Sequence, residues 1–179
     1  MADPIQADSN SSTLSGVARV LVNAGKLDAK TAEDIIRAAK EQKKGFVPAL
    51  IASGAIKAAD LAHTLSKALA VPVLDLATID AQRLPKGVID NKLAAQYQVM
   101  VLSKRGNRLF VAGADPTDQE ALDRIKFATQ LTPEWVIVEH DKLSKLLEGL
   151  TATAEDQLNA IASSDFEFDV TDDASPAPE

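Results

Sequence analysis

Apolar positions recur at spacings of three and four residues between positions 13 and 70, and this periodicity predicts a run of short helices. In one of them Ile35 and Ala39 share a face, and in a later one Leu61 and Leu65 do so. A helix with one apolar face needs a neighbour to cover that face. We therefore expect these helices to pack together around a shared core.

The helical segment contains a weak internal repeat at an offset of 29 residues. Each unit consists of a short apolar helix, a glycine, one further residue, an aliphatic residue and a second helix. The defining residues are Leu21, Gly25 and Leu27 in the first unit and Leu50, Gly54 and Ile56 in the second. Glycine readily adopts the left-handed conformation that ends a helix, and the aliphatic residue after it can pack back on that helix.

Polar residues and a proline mark where these helices begin. Asp28 is placed to cap the second helix of the first unit, and Asp60 falls in the first turn of its counterpart. Pro48 fits only near the start of its helix, because in the interior it would remove a hydrogen bond.

Residues 71–149 mix apolar runs of strand length with helical periodicity. The predicted strands are residues 71–76, 99–102, 109–112 and 135–138, and the predicted helices lie at about residues 88–96, from Asp115-Pro116 onward, and around Leu143, Leu146 and Leu147. Gly106-Asn107 separates two of the runs and predicts a hairpin.

The helix that starts at Asp115-Pro116 is predicted from a cap residue followed by proline at the first helical position. Its inward face is predicted to carry Ala121, Leu122, Ile125 and Ala128.

The whole pattern predicts an α+β fold. A helical subdomain with the two-unit repeat, residues 13–70, is followed by residues 71–149 as a small sheet covered by helices. Residues 1–12 are predicted to form a disordered N-terminus, and residues 150–179 an acidic flexible linker or tail.

The net charge of −7 belongs mainly to that tail. Eight of the 26 acids and none of the 19 bases lie in residues 151–179, which leaves 18 acids against 19 bases in the remainder. A nearly neutral body with 4% aromatic residues argues against nucleic-acid binding. The chain has no cysteine, no basic and apolar leader, and no apolar run near the roughly 20 residues that span a bilayer, so we expect a soluble, cytoplasmic protein.

Catalytic patterns are absent from the sequence. There is no phosphate-binding G-x-x-x-x-G-K-[ST], no G-x-G-x-x-G and no G-x-S-x-G. His63 and His140 lack a second histidine or cysteine at metal-ligand spacing, so both are expected in structural or surface roles. We expect a non-catalytic chain that holds no metal or cofactor.

Three polar or aromatic features carry weaker hypotheses. The basic cluster from Lys104 to Arg108 is expected to be a solvated hairpin tip, and Asp172-Asp173 a solvated pair. Phe166 and Phe168 alternate with acids and are possible docking residues of the tail; the alternative is a linker that contacts a downstream domain.

The paired helix–glycine–aliphatic–helix units, Leu84-Pro85, Gln96-Tyr97, the hairpin and Asp115-Pro116 together resemble one family. It is the N-terminal domain of the pilus extension and type II secretion ATPases, the PilB and GspE group. The resemblance covers residues 13–149 and implies a chain without its motor domains, ending in the linker as a fragment or a stand-alone relative.

This resemblance implies a module that binds a PilZ-type regulator, a pilus platform protein or the cytoplasmic part of an inner-membrane protein. It implies a monomer for the isolated domain, a hexamer for full-length relatives, and a cytoplasmic position at the inner-membrane machinery.

Cyclic di-GMP binding is the alternative that the same resemblance offers. The ligand motif of such relatives contains Arg-Leu-Gly ahead of the aliphatic and glycine positions, and it occurs twice. Here the arginine positions fall at Gly16 and Gly45, and the first glycine positions at Ala18 and Val47. The later positions match at Leu21, Gly25, Leu27, Leu50, Gly54 and Ile56. Because guanidinium groups that pair with phosphate are lost, protein docking is the preferred hypothesis.

Overall fold

The computed structural model describes residue 14, residues 16–150 and residue 152. The chain divides into one unit that ends at Leu147 and a second that starts at Glu148. In the second unit, residues 148–150 and 152 are helical. The predictions for residues 1–12, for most of the acidic tail, for Asp172-Asp173 and for Phe166 and Phe168 lie outside the described residues.

Four helices form the first half of the main unit, and they follow the predicted repeat. They are α1 (Gly16–Asn23), α2 (Ala29–Glu41), α3 (Phe46–Ala52) and α4 (Ala58–Leu69).

The turn inside each repeat unit is confirmed at its glycine. Gly25 has φ of 66° and Gly54 has φ of 72°, which is the left-handed region that glycine enters without strain. The preceding aliphatic residues, Leu21 and Leu50, are both fully buried. Leu27 is buried behind its turn as predicted.

The two units are interlocked rather than side by side. α1 packs more extensively against α4 than against α2, its own partner in the first unit, and α2 packs chiefly against α3. The repeat makes α1 equivalent to α3 and α2 equivalent to α4, so the α1–α4 pair is equivalent to the α2–α3 pair. Both pairs therefore follow from one repeated geometry. Their shared core also takes in Ile137 from the sheet and Ala114 from the bend that follows the strand ending at Gly113.

Capping differs between the two units. The Asp28 carboxylate accepts a hydrogen bond from the Thr31 backbone N–H at 2.7 Å and caps α2, as predicted. Lys57 holds the equivalent position before α4, and its side chain makes no capping bond.

The strand predicted at residues 71–76 is wrong as a regular element. Only Val73 pairs with the sheet, through a parallel bridge to Ile137. The Leu74 N–H donates to the Ile137 carbonyl, and the Ile137 N–H donates to the Pro72 carbonyl, both at 2.8 Å. Proline has no N–H of its own to donate, so the pairing does not extend toward the chain start.

Asp75 ends this extended segment by starting a turn. Its carboxylate accepts from the Ala77 N–H at 2.9 Å and begins a 3₁₀ turn at Leu76–Thr78. The Lys142 ammonium lies 2.8 Å from carboxylate oxygens of both Asp75 and Glu139 and ties the turn to the last helix of the unit.

The next helix, α5 (Asn91–Tyr97), begins later than predicted. Asp90 supplies the reason, because its carboxylate accepts from the Lys92 N–H and caps the helix there.

The sheet has three strands in the order β1 (Val99–Arg105), β2 (Arg108–Gly113) and β3 (Thr132–Ile137). β1 and β2 form the predicted antiparallel hairpin, with a register shift between Val101 and Ser103. β2 and β3 are parallel, and α6 (Gln119–Thr129) connects them.

The predicted start of α6 at Asp115-Pro116 is wrong. Asp118 is the cap, and its carboxylate accepts from the Ala121 N–H at 2.9 Å. Asp115 instead accepts from both the N–H and the hydroxyl of Thr117, at 2.9 and 2.6 Å, and forms a separate turn. Ala128, predicted to face inward, is exposed in the last turn of the helix.

Helices cover both faces of the sheet. Ile125 of α6 packs on the face that carries Val101, Leu109 and Val111. The opposite face, with Met100 and Ala112, packs against Leu143 and Leu147 of the helical residues 140–147. The α+β prediction, a helical part followed by a small sheet covered by helices, is confirmed. No helix among the described residues has the length and apolarity to cross a membrane.

Candidate docking and ligand clefts

The six aliphatic and glycine positions of the predicted ligand motif are divided between the helical core and the surface. Leu21 and Leu50 are core residues, Leu27 is buried, and Ile56 is half-buried against the same core. Gly25 and Gly54 are exposed, each at the turn of its unit. These positions are thus accounted for by the helical core, although each glycine turn borders a cleft.

The first cleft lies between the end of α1 and the outer side of α4, and we call it the α1–α4 cleft. Its volume is about 430 Å³. Its lining consists of Ala24, Lys26, Asp60, His63, Thr64, Lys67 and Ala68. The lining is cationic on balance, with two ammonium groups and an imidazole against one carboxylate.

The second cleft lies between α2 and α3, and we call it the α2–α3 cleft. Its volume is about 240 Å³. Its lining consists of Ile35, Ala38, Gln42, Lys44, Ala49, Ala52 and Ser53. Ile35 is buried and Ala38 and Ala49 are half-buried, so these three residues form the apolar inner part of the cleft. The exposed outer part carries Gln42, Lys44, Ala52 and Ser53.

The internal repeat relates the two clefts. At the offset of 29 residues, Ala24 corresponds to Ser53. Thr64 corresponds to Ile35 by the same offset, and Lys67 to Ala38. Sequence analysis found the repeat but neither cleft, because the small alanines that leave the space give no periodic signal of their own.

The two positions where the ligand motif would carry arginine differ in their surroundings. Gly16 has φ of 59°, and a Cβ atom there would lie 2.8 Å from Oγ1 of Thr117. Gly45 has φ of −67°, and a Cβ atom there would meet only the Pro48 ring, at 3.4 Å. A side chain at position 16 is therefore strained and would have to push the Thr117 hydroxyl aside, whereas a side chain at position 45 is sterically allowed.

The histidines differ in their exposure. His63 is exposed in the α1–α4 cleft, whereas His140 is half-buried, and burial lowers the pKa of its imidazole. Within the described part of the chain, no group of three or more histidine, cysteine, aspartate or glutamate side chains could hold a metal ion.

The basic hairpin tip is exposed, as predicted, but one of its residues is engaged. The Arg108 guanidinium donates to both carboxylate oxygens of Glu134 on β3, and it lies 5.5 Å from the centre of the Phe110 ring. The hydrogen bond from Arg108 lowers the pKa of the Glu134 carboxyl. This pairing fastens β2 to β3 at the tip end of the sheet.

Phe127 on α6 was not identified from the sequence as a surface residue. It is 81% exposed, the largest exposure among the large apolar side chains of the described region. Its helical neighbours Asp123 and Arg124 are exposed as well. A single exposed apolar residue is common on soluble proteins and does not define a site by itself.

Comparison with known proteins places this architecture in a class. Residues 69–157, just under half of the chain, match the MshEN domain family. Both clefts precede the matched range.

The relatives narrow the class further. The type IV pilus assembly ATPase PilB of Pseudomonas aeruginosa is 35% identical over 154 residues, which is 86% of this chain and 27% of that protein. PilB of Acinetobacter baylyi is 40% identical over 133 residues, 74% of this chain and 23% of that protein. The chain thus spans about a quarter of the length of these relatives and is similar to their N-terminal region.

Solved structures agree on the fold. The N-terminal domain of XpsE superimposes with a TM-score of 0.60 at 22% identity, covering 77% of this chain and 94% of that one. MshE, solved with cyclic di-GMP, gives a TM-score of 0.55 at 22% identity, covering 75% and 98%. At this identity the likeness is one of fold.

Proposed function

We propose that this chain is a non-catalytic docking module that joins a pilus extension ATPase to a cytoplasmic protein partner. The partner class is a PilZ-type regulator, a pilus platform protein or the cytoplasmic part of an inner-membrane protein. The similarity to the N-terminal region of PilB supports the association with a pilus extension ATPase. The observation that carries the docking role is the α2–α3 cleft.

The chemistry of that cleft suits an apolar side chain of a protein. Ile35, Ala38 and Ala49 offer methyl groups, while Gln42 and Lys44 keep hydrogen-bonding groups at the margin. An apolar centre with a polar rim is the usual anatomy of a protein–protein contact. One large side chain seated in such a pocket often supplies much of the binding free energy.

Cyclic di-GMP binding is the second candidate, because MshE has the same fold and was solved with that ligand. The crowding of position 16 by Thr117 counts against it, since an arginine there would have to displace the Thr117 hydroxyl. The second arginine position is glycine as well. We therefore rank protein docking first.

Calorimetric titration of the full chain with a purified PilZ-type protein, and separately with a platform cytoplasmic domain, tests the proposal. One of them should bind with 1:1 stoichiometry. Ala52→Arg, at the exposed end of α3, should weaken that binding about tenfold or more, because the guanidinium would occupy the cleft mouth.

Ala128→Arg is the matched control, because Ala128 is exposed on α6, away from the α2–α3 cleft lining. It should leave the affinity unchanged. The proposal is rejected if neither protein binds the folded chain, or if Ala52→Arg binds as tightly as Ala128→Arg. A titration with cyclic di-GMP alone that saturates at micromolar concentrations would reverse the ranking.

A further inference from the structure

We propose that the α1–α4 cleft is a binding site for a small phosphate ester that also carries a hydroxyl group. The inference does not depend on the docking function, since it concerns the other member of the cleft pair.

The charged lining of this cleft is not needed for helix packing. At the equivalent places in the α2–α3 cleft, Ile35 stands for Thr64 and Ala38 stands for Lys67. The α2–α3 pair, which the repeat makes equivalent to the α1–α4 pair, therefore packs with apolar residues at these two positions. The α1–α4 pair carries polar and charged groups that its own packing does not require.

The cationic groups are available to a ligand. Across the described residues, neither Lys26 nor Lys67 forms an ion pair with a carboxylate, whereas Lys142 forms two. The two lysines reach the cleft from different elements, one after α1 and one in the last turn of α4. Ammonium groups that line the same cleft can bind phosphate oxygens as point charges.

The remaining polar groups distinguish an ester from bare phosphate. Asp60 places a carboxylate at the first turn of α4, and a carboxylate accepts hydrogen bonds but donates none. A hydroxyl group on the ligand would donate a hydrogen bond to this carboxylate. His63 lies between Asp60 and Lys67 along α4, and its imidazole can donate through a ring N–H in either protonation state.

The size of the cleft fits this class of ligand. Its volume of about 430 Å³ lies in the range of small-molecule sites, which begins at about 300 Å³. A phosphate ion alone would leave much of that space to water. Ala24 and Ala68 contribute only methyl groups to the lining.

The experiment is a titration of the ¹⁵N-labelled full chain, followed by amide chemical shifts at constant ionic strength, with three probes: inorganic phosphate, ribose, and ribose 5-phosphate. Ribose 5-phosphate should shift the amides around Lys26, His63 and Lys67 saturably, with a dissociation constant on the order of 1 mM. Inorganic phosphate should bind the same residues about tenfold more weakly, and ribose should not bind.

Matched variants assign the effect to the cleft. Lys67→Gln should weaken ribose 5-phosphate binding about tenfold, because it removes a charged hydrogen bond. Lys44→Gln, in the sister cleft, should leave it unchanged. Asp60→Asn should reduce the difference in affinity between ribose 5-phosphate and inorganic phosphate.

Three results would overturn the site. They are the absence of saturable shifts, shifts centred outside the α1–α4 cleft, and equal effects of Lys67→Gln and Lys44→Gln. Equal affinity for inorganic phosphate and the ester would overturn the assignment of the ligand class. All variants are at exposed positions, and their dispersed amide spectra report that they fold.

Discussion

Gly16 at the start of α1 and Thr117 in the turn before α6 approach so closely that a Cβ atom on residue 16 would lie 2.8 Å from the threonine Oγ1. The contact joins the first helix of the repeat to the loop that follows β2. That hydroxyl is also the donor to Asp115 at 2.6 Å. A side chain on residue 16 would therefore disturb a hydrogen-bonded turn as well as a neighbouring atom.

The first prediction separates backbone strain from this contact. Gly16→Ala and Gly25→Ala both place a side chain at positive φ, 59° and 66°, which costs about 1–2 kcal/mol. Only Gly16→Ala adds the clash, since position 25 has open space around it. Urea unfolding should show the larger loss of stability for Gly16→Ala, by about a further 1 kcal/mol. Equal losses would mean that the Thr117 turn moves aside freely.

The second prediction concerns Gly113 and Trp135. A Cβ atom on Gly113 would overlap the six-membered ring of Trp135 on the neighbouring strand. Gly113→Ala should cost about 1–3 kcal/mol, the usual range for overpacking, and should shift the emission of Trp135, which is the sole tryptophan.

A second substitution tests that mechanism. In the Trp135→Leu background, Gly113→Ala should cost clearly less, because the ring it would overlap is gone. Additive losses, measured by circular dichroism during urea unfolding, would contradict the overlap.

The third prediction uses the unequal caps of the two repeat units. Asp28→Ala removes the bond to the Thr31 N–H and should lower the midpoint of thermal unfolding by a few degrees. Lys57→Ser introduces a cap where none exists and should stabilise the protein by about 0.5–1 kcal/mol. Scanning calorimetry of both variants measures these changes in stability. A destabilised Lys57→Ser variant would show that the missing cap does not limit the stability of α4.

The fourth prediction is a pH dependence at Asp115. Burial raises the pKa of its carboxyl, against the opposing hydrogen bonds from Thr117. An acid with a raised folded-state pKa binds its proton more tightly in the native state, so its contribution to stability falls as the pH rises above the unfolded value of about 3.9.

Asp115→Asn removes this cost while keeping an oxygen that accepts from the Thr117 N–H. The variant should therefore gain stability relative to the wild type between pH 3.5 and pH 7. Thermal unfolding at the two pH values measures the gain. A relative loss at pH 7 would show that the hydrogen bonds to the carboxylate outweigh its burial.

Sequence patterns predicted the helical half well, because its information is local. The positive φ of Gly25 and Gly54 and the capping by Asp28 each depend on residues within one turn. The hairpin was equally predictable, because Gly106-Asn107 lies between two apolar runs.

The errors lie where two local signals compete. Asp115-Pro116 and Asp118 are both plausible helix starts, and the hydrogen bonds of Thr117 to Asp115 decide in favour of the later one. Residues 71–76 look like a strand from composition, but Pro72 and the turn at Asp75 leave only one bridged residue.

The clefts could not be derived from one-dimensional patterns. They depend on which helix faces which, and the contact of α1 with α4 joins segments that the repeat itself would assign to different units. The crowding of Gly16 by Thr117 likewise joins residues that are distant in the chain, and no local sequence pattern around either residue predicts the contact.

The interlocked helices make the repeat indivisible. If the chain were cut in the loop between α2 and α3, neither half would be a stable miniature of the whole, because each would expose the surface that the other half covers. The separated pieces should instead recognise each other and restore the fold on mixing. The two repeat units are thus mutually dependent, and each can vary its outer surface as long as it keeps the apolar side chains that the other buries.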